Sequence, residues 1–239
     1  MTESRILPYA QAEQLLRRYE VPLAPAQLVQ SPPEAADAAR ALGFPVALKA
    51  ISAQATHKSD AGLLRLQLDD AGAVAAAAAE LLEASRALGL GLEGLLVQVM
   101  AAQAVEMIAG IAWDEQFGPV LALGSGGILV ELVDDAVLRL PPLTAAHARR
   151  MAAQTRSWPL LQGYRGRPAG DVAALAQLMV NLSHLAQGEA ARLLSVDLNP
   201  VIVLPEGQGV QVVDVRVAVR VAGRVALRAA DEQYERNEP

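Results

Sequence analysis

Apolar positions along this chain follow two periods, and the period changes repeatedly from one segment to the next. Apolar side chains at helical spacing predict helices, whereas alternating or short continuous apolar runs predict strands. The predicted helices span residues 8–19, 35–42, 72–88, 144–156 and 171–187. The predicted strands span residues 46–51, 63–68, 95–100, 105–113, 120–123, 193–198 and 210–213, with a further strand after Gly127 and through Val133.

This order of elements predicts an α+β fold with two lobes that meet near residues 93–104. We expect an N-terminal helix and a first lobe over residues 1–94, and a second lobe over residues 95–225. A polar C-terminal tail follows over residues 226–239, where few apolar side chains are present to hold the chain against a core.

Composition limits the classes of function. Apolar residues make up 53% of the chain but aromatic residues only 3%, so the core must consist of Ala, Leu and Val. The net charge of −6 and the lack of a basic run argue against a nucleic-acid partner. Without cysteine there is no disulfide and no thiolate nucleophile. No apolar run could span a membrane and no signal-peptide core is present, so we expect a soluble cytoplasmic protein without a membrane partner.

The only two lysines, Lys49 and Lys58, lie nine positions apart in one segment, and arginine supplies the positive charge elsewhere. A lysine ammonium is a compact point charge, unlike the planar arginine fork, so its restriction to this segment indicates a site of chemistry. His57, one of three histidines, adjoins Lys58 and strengthens that interpretation. The alternative is an arginine-biased composition that leaves two lysines by chance.

A glycine pattern over residues 89–94 matches G-x-G-x-x-G, and Asp114 lies twenty residues past its last glycine. The dinucleotide-binding form of this pattern requires a strand before the glycines and a helix after them. Here the glycines follow a predicted helix and precede a predicted strand. We therefore assign no cofactor to this segment.

Oxygen ligands for a metal ion come late in the chain. Asp197 and Asn199 lie near the end of one predicted strand, and Asp214 closes the next. A turn over residues 205–209 joins these strands, so they are expected to be adjacent and antiparallel, with the Asn199 and Asp214 oxygens converging on one point. Mg²⁺ prefers hard oxygen ligands and often takes only one or two from the protein. The alternative is that residues 199–200 make a turn and Asp214 ends a strand.

Seven motifs taken together resemble the ATP-grasp domain of ADP-forming acyl-CoA synthetases, over about residues 8 to 220, and more distantly succinyl-CoA synthetase β subunits. They are Val46-Ala-Leu-Lys49, His57-Lys58-Ser-Asp60, Val105-Glu106-Met-Ile-Ala-Gly110, Asp114-Glu-Gln-Phe117-Gly118-Pro119, Gly124-Ser-Gly126-Gly127-Ile-Leu-Val-Glu131, Gly163-Tyr164-Arg165-Gly166 and Asp197-Leu-Asn199-Pro200. The resemblance implies an ATP-grasp fold, in which two α/β lobes bind a nucleotide between them. It also implies ATP or ADP and Mg²⁺ as ligands.

The resemblance further implies a role for each matching residue at the nucleotide. Lys49 matches a strand lysine that contacts the phosphates, where its charge offsets the charge that develops during phosphoryl transfer. Gln98, Val99 and Met100 match the hinge between the lobes, which pairs with adenine through backbone groups. Glu106 matches an acid near the ribose.

A metal site and a phosphate carrier are implied in the same way. Asn199 and Asp214 match magnesium ligands, with Asp197 as a supporting acid. His57 matches a histidine that carries phosphate between the acyl-CoA-forming site and the nucleotide. Imidazole offers a nitrogen lone pair near neutral pH and can therefore take a phosphoryl group. Lys58 would steady the added negative charge.

Two positions depart from the family pattern. Leu63 stands where a paired glycine is usual, and Ser125 alters the usual glycine-rich turn. Glycine permits close backbone approach to phosphate, so we expect a phosphate loop that is stiffer or set back by a side chain. We therefore expect this altered loop to affect turnover more than nucleotide binding. The remaining histidines, His147 and His184, occupy ordinary helical positions and are expected to be structural.

No segment of the chain matches a CoA-binding Rossmann unit, so we expect a separate CoA-binding α-type subunit as partner. The leading interpretation is the β-type component of an ADP-forming acid–CoA ligase. It would transfer phosphate between His57 and ADP or ATP, and the partner would couple this step to acyl-CoA plus phosphate giving acid plus CoA. Two alternatives stay open. One is a nucleotide-sensing or interaction module with weakened catalysis, and the other is a self-contained ATP-grasp carboxylate ligase, which would leave His57 without a task.

Overall fold

A computed structural model describes residues 4–52, 62–101, 104–127 and 135–221 of the chain. Within these residues the strands form two sheets, one of seven strands and one of four. All pairs of neighbouring strands are antiparallel. The described residues combine helices with two antiparallel sheets, which confirms the α+β prediction.

The four-stranded sheet has the order β2-β5-β3-β4 and carries two helices. Its strands are β2 (Ala26–Val29), β3 (Val46–Ile51), β4 (Leu64–Leu68) and β5 (Gly94–Val99), and its helices are α2 (Pro32–Leu42) and α3 (Ala71–Ala87). Both helices begin at a side chain that accepts a hydrogen bond from the first turn. Ser31 Oγ accepts from the Glu34 N–H and Asp70 Oδ1 accepts from the Ala73 N–H. These caps satisfy N–H groups that lack a helical partner and so mark where each helix starts.

Strand β3 is buried along its whole length because both of its faces are covered. Val46, Leu48 and Ala50 belong to the apolar core that α2 and α3 form on one face. Side chains alternate between the faces of a strand, so Ala47 and Lys49 point to the other face. There they line a cavity that residues of the seven-stranded sheet complete.

The seven-stranded sheet has the order β1-β11-β9-β6-β7-β8, with β10 paired to β9. Its strands are β1 (Ser4–Ile6), β6 (Val105–Asp114), β7 (Gly118–Ser125), β8 (Val137–Arg139), β9 (Leu193–Val203), β10 (Val210–Val212) and β11 (Val215–Arg220). Four helices accompany it, namely α1 (Tyr9–Arg18), α4 (Ala145–Gln154), α5 (Trp158–Leu161) and α6 (Val172–Gly188). Leucine, valine, methionine and alanine side chains from these helices and the sheet form its core, with α6 the most deeply buried helix.

Most long elements lie where the apolar periods predict them, and the differences have physical causes. Four strands were not predicted. Three of them, β1, β2 and β8, are too short for a clear alternation, and the fourth, β11, follows β10 after only two residues. The helix predicted over 144–156 ends at Gln154, where Thr155 is extended and α5 begins separately. The strand predicted after Gly127 and through Val133 lies outside the described residues.

Strand β9 also continues further than predicted, through Pro200 to Val203. A proline normally weakens a central strand because it lacks the N–H that the neighbouring strand needs. Here the pairing of β9 with β6 shifts between Met107 and Ala109, so the ladder is irregular beside Asn199 and Pro200. Such irregularities are frequent next to functional sites, where they aim a side chain away from the regular pleat.

The chain passes from the four-stranded to the seven-stranded sheet between β5 and β6, after residue 99. The first strand and α1 lie with the seven-stranded sheet, since β1 pairs with β11 and Leu15 and Leu16 join its core. The domain limits at residues 94 and 225 stay a prediction. No helix in the described ranges combines the length and the apolar character that a membrane span requires.

Candidate active site

A cavity of about 460 Å³ opens between the two sheets. Residues from both sheets line it, and most of the site residues predicted from the sequence are among them. These are Lys49, Gln98, Val99, Met100, Glu106, Asn199 and Asp214. Leu64, Leu66, Pro200 and Ile202 add apolar surface to its walls. An apolar cleft with a few convergent polar groups is the usual form of a small-molecule site.

Lys49 lies in the middle of β3 with its side chain in this cavity, and only 4% of the residue is exposed. Its Nζ donates a hydrogen bond to the Val213 carbonyl at 3.1 Å and lies 3.8 Å from Asp214 Oδ1. Both acceptors belong to the seven-stranded sheet side, so the lysine bridges the two lobes. A buried ammonium of this kind strongly attracts a second anion, because little water screens it.

Gln98 lies on β5 opposite Ala47 and faces the same cavity. Its Nε2 also donates to the Val213 carbonyl, at 3.0 Å. Its Oε1 is buried and accepts no hydrogen bond from any described residue. Leaving a buried carbonyl unpaired costs about 1–3 kcal/mol, so a ligand with an N–H donor would be favoured at this point.

Asn199 and Asp214 are brought together by the strands that carry them. The Asn199 N–H donates to the Asp214 carbonyl at 3.2 Å, and the Val213 N–H donates to the Pro200 carbonyl at 3.0 Å. Both side chains line the cavity. The described residues contain no cluster of three or more histidine, aspartate or glutamate side chains that could hold a metal. One carboxylate and one amide oxygen therefore make a sparse set, which fits Mg²⁺ and its retained water ligands.

Asp197 lies two residues before Asn199 on β9 and is not among the residues that line the cavity. Desolvation by neighbouring protein atoms raises the pKa of its carboxyl above the ordinary value, with Arg216 opposing the shift and the Asp214 carboxylate adding to it, although the residue as a whole is exposed. Its role as a supporting acid stays a prediction.

Glu106 is the second residue of β6 and lies at the edge of the cavity, where two glycines approach it closely. The Gly126 N–H donates to the Glu106 carbonyl at 2.9 Å. A Cβ at Gly126 would lie 2.8 Å from the carbonyl carbon of Glu106, which is closer than any side chain tolerates. A Cβ at Gly127, where φ is +85°, would lie 3.3 Å from Glu106 Oε2. The glycine-rich turn is therefore required by its contact with Glu106.

Leu63 does not obstruct the cavity. Its side chain is fully buried in the core beneath α2 and α3, and the Ala50 N–H donates to its carbonyl at 3.0 Å. Gly62, directly before it, has a φ of +69°, which favours glycine. Of the predicted site residues, His57 and Lys58 lie outside the described residues.

The sequence did not reveal one contribution to the site. Val213 accepts hydrogen bonds from Lys49 and Gln98 through its backbone carbonyl, which carries no side-chain signal. Tyr9 does not line the cavity, and burial, with smaller contributions from Glu13 and Asp214, raises its pKa to about 12, so its phenol stays protonated. The alternating pattern of β4 could have identified Leu64 and Leu66 as cavity residues, because both face the same side.

The other histidines lie on helices. His147 takes part in the capping box of α4, accepting from the Thr144 N–H through Nδ1 at 3.4 Å, while Thr144 Oγ1 accepts from the His147 N–H at 3.3 Å. His184 is exposed on α6. Neither lines the cavity between the sheets.

The two antiparallel sheets with a cavity between them define an ATP-grasp fold. A sequence model of a protein family described as "ATP-grasp domain" matches residues 1–219. The chain therefore belongs to this ATP-grasp domain family, which confirms the resemblance that its motifs indicate.

Relatives with known names point to one class of enzyme. The chain is 33% identical to the β subunit of an ADP-forming acetate–CoA ligase of Pyrococcus furiosus, over 88% of this chain and 90% of that subunit. It is 39% identical to a trans-feruloyl-CoA synthase of an unknown prokaryotic organism, over 90% of this chain. The chain spans only 31% of that synthase.

A solved structure is similar over the same extent. It is acetyl-coenzyme A synthetase 1 of Candidatus Korarchaeum cryptofilum with coenzyme A and Ca-AMPCP, with a TM-score of 0.85 and 34% identity, over 90% of this chain and 94% of the other. A second structure of that synthetase, with Mg-AMPPCP and its phosphohistidine segment pointing towards the nucleotide binding site, has a TM-score of 0.78 and 33% identity, over 90% and 93% of the chains. The relatives are acid–CoA ligases, as the sequence predicts.

Proposed function

We propose that this chain is the nucleotide-binding, β-type component of an ADP-forming acyl-CoA synthetase. The observation that carries the proposal is the cavity between the sheets, which brings together Lys49, Gln98, Glu106, Asn199 and Asp214 from distant parts of the sequence. A cation, an unpaired amide carbonyl, an acid and a pair of oxygen ligands are the groups that a magnesium nucleotide requires. The similarity to a β subunit of an ADP-forming ligase supports the same assignment.

In this proposal the nucleotide lies along the cavity with its base at β5. The Val99 and Met100 N–H groups already donate to the Pro25 and Pro45 carbonyls, so any pairing of the backbone of residues 98–100 with adenine falls to its carbonyl groups. The unpaired Oε1 of Gln98 accepts from an N–H of the base. Leu66 and Ile202 supply apolar surface for the ring. Glu106 accepts from the ribose hydroxyls, because a carboxylate is a strong acceptor for such groups.

The phosphates then lie near Lys49. Its ammonium is held by the Val213 carbonyl and stands beside Asp214, so it is already oriented before a nucleotide binds. A preoriented charge of this kind stabilises phosphoryl oxygens without a reorganisation cost at the moment of reaction. Asn199 and Asp214 would hold Mg²⁺, with Asp197 nearby, and the ion would neutralise charge on the phosphates.

The reaction assigned to the chain is reversible phosphoryl transfer between ADP and His57. A terminal oxygen of the ADP β-phosphate attacks the phosphorus of the phosphohistidine, an O–P bond forms, and the N–P bond breaks. The imidazole leaves with its lone pair and can accept the next phosphoryl group. A separate CoA-binding subunit would supply that group from acyl-CoA and phosphate, releasing acid and CoA.

The proposed alternatives have less support. A sensor with weakened catalysis would be expected to have lost charged groups from the cavity, yet Lys49, Glu106 and Asp214 are all present there. A self-contained carboxylate ligase leaves His57 without a role.

Calorimetry with magnesium-ADP and magnesium-ATP tests the nucleotide site. The native chain is expected to bind both, and Asp214→Asn is expected to bind each much more weakly with a reduced magnesium dependence. Asp37→Asn serves as the matched control, because Asp37 is an exposed acid on α2 outside the cavity. Equal affinities in the native chain and Asp214→Asn, or no binding by the native chain, would contradict the proposal.

A further inference from the structure

Ser125, which departs from the family pattern, is the centre of a hydrogen-bonded cluster at the end of β7. Its Oγ donates to Asp135 Oδ2 at 2.6 Å, and its N–H donates to Asp135 Oδ1 at 3.0 Å. The same Oγ accepts from the Ser157 hydroxyl at 2.7 Å and from the Ser157 N–H at 3.1 Å. We call Ser125, Asp135 and Ser157 the Ser125 cluster. It ties β7 to the approach to β8 and to the start of α5.

Asp135 fixes the cluster by accepting several hydrogen bonds. Its Oδ2 also accepts from the Arg156 N–H at 2.7 Å. Burial opposes ionisation of this carboxyl, but the hydrogen bonds from Ser125 and Arg156 prevail and hold its pKa below the ordinary value. An ionised acceptor makes shorter and stronger hydrogen bonds than a neutral one. Ser125 is thus held through both its backbone and its side chain.

The residues directly after Ser125 form the wall against Glu106. The Gly126 N–H donates to the Glu106 carbonyl, and the missing Cβ of Gly127 leaves room for the Glu106 carboxylate. Met107, next to Glu106, pairs with Ser125 across the β6–β7 ladder. A shift of Ser125 would therefore move the surface on which the Glu106 carboxylate rests.

We propose that Ser125 is a positioning residue for the nucleotide, because its hydroxyl holds the Gly126–Gly127 turn in the place that orients Glu106 towards the ribose. No part of the Ser125 cluster lines the cavity. The effect of Ser125 is transmitted through Glu106. It should therefore change the affinity for the ribose hydroxyls and leave phosphoryl transfer unchanged. The inference rests on the proposed role of Glu106.

The experiment compares two nucleotides in the full chain by calorimetry with magnesium present, namely ATP and 2′,3′-dideoxy-ATP. Loss of one well-formed hydrogen bond typically weakens an interaction about fivefold, and we expect this loss for ATP in Ser125→Ala. Binding of 2′,3′-dideoxy-ATP should be the same in both proteins, because it has no hydroxyl for Glu106 to contact. Ser125→Thr keeps a hydroxyl and should recover most of the ATP affinity.

Two further variants separate the possible failures. Ser85→Ala is the matched control, since Ser85 is a buried serine on α3 whose Oγ donates only to the Leu81 carbonyl within its own helix, and it should bind both nucleotides normally. Glu106→Gln should show the same ribose-dependent loss as Ser125→Ala. If Glu106→Gln shows it and Ser125→Ala does not, or Ser125→Ala weakens both nucleotides equally, the inference about Ser125 is wrong. If Glu106→Gln binds both nucleotides like the native chain, the role of Glu106 in the proposed function is wrong, and the inference with it.

Discussion

Replacing Lys49 with methionine should weaken nucleotide binding strongly and leave the free protein at least as stable as before. Methionine has nearly the length of lysine and no charge, so it fills the same space on β3. Lys49 is almost fully buried, and removing a buried ammonium also removes its desolvation cost. Its charged neighbour Asp214 retains contact with solvent, since 37% of that side chain is exposed. The variant loses the attraction between Lys49 and Asp214 but also loses the cost of burying the ammonium. These two effects on the free energy of unfolding should nearly cancel, or favour the variant.

The expected loss of affinity follows from the geometry of the lysine. Two unit charges about 4 Å apart interact by about 4 kcal/mol at an effective dielectric constant of about 20. Lys49 already contacts the Val213 carbonyl at 3.1 Å and lies 3.8 Å from Asp214 Oδ1, which reduces the gain from a phosphate. Subtracting about 1–2 kcal/mol for these contacts leaves about 2–3 kcal/mol. That difference corresponds to a Kd about 30- to 140-fold higher.

Calorimetry with magnesium-ATP measures the affinity, and thermal unfolding without nucleotide measures the stability. Arg139→Met is the matched control, because it removes one positive charge from an exposed position on β8, outside the cavity. It should bind ATP normally. An unchanged Kd for Lys49→Met, a similar loss for Arg139→Met, or a marked fall in the melting temperature of Lys49→Met would refute this reasoning.

Three other changes have definite expected outcomes. Gly126→Ala forces a Cβ to 2.8 Å from backbone atoms, so calorimetry should show weaker ATP binding, whereas the Cβ added by Gly91→Ala meets no atom of the described residues beyond its chain neighbours within 4 Å, and this variant should bind normally. Backbone N–H donors hold the pKa of Asp171 below its ordinary 3.8, so this group stabilises the fold above about pH 4 and loses that effect as pH falls through the folded pKa. Denaturant unfolding should therefore find Asp171→Asn less stable by about 1–3 kcal/mol at pH 7, with a smaller difference at pH 3, and a difference independent of pH would contradict this. Gln98→Leu should lower the ratio of ATP to ITP affinity, because ITP lacks the exocyclic amino group of adenine, and an unchanged ratio would exclude this contact.

Sequence patterns pointed to most of the polar side chains that line the cavity. Lys49 was visible because lysine is rare in this chain, and Asn199 and Asp214 because a turn joins their strands. The hairpin brings these two together as expected, although β9 continues past Pro200 and Asp214 lies between two strands. Long apolar periods located the helices and central strands well, while short strands with few residues left too little pattern to detect.

Other parts of the site depend on the folded chain. The Val213 carbonyl that accepts from Lys49 is a backbone group, so the residue type at this position does not predict the contact. The direction of the Leu63 side chain depends on where β4 begins, which places it in the core and not in the cavity. Ser125, Asp135 and Ser157 are distant in sequence and meet only when β7 and α5 have formed. Such contacts require the tertiary structure.

Phosphorylation of His57 by ATP is the most direct test of the proposed function. The full chain is incubated with magnesium and ATP labelled at the γ-phosphate, and acid-labile, alkali-stable label on the protein is measured and located by peptide mapping. We predict label on His57 that returns to ADP, none on His57→Asn, and normal labelling of the control His184→Asn. Label that persists in His57→Asn, or an unlabelled native chain that nevertheless binds magnesium-ATP, would contradict the phosphoryl-transfer role.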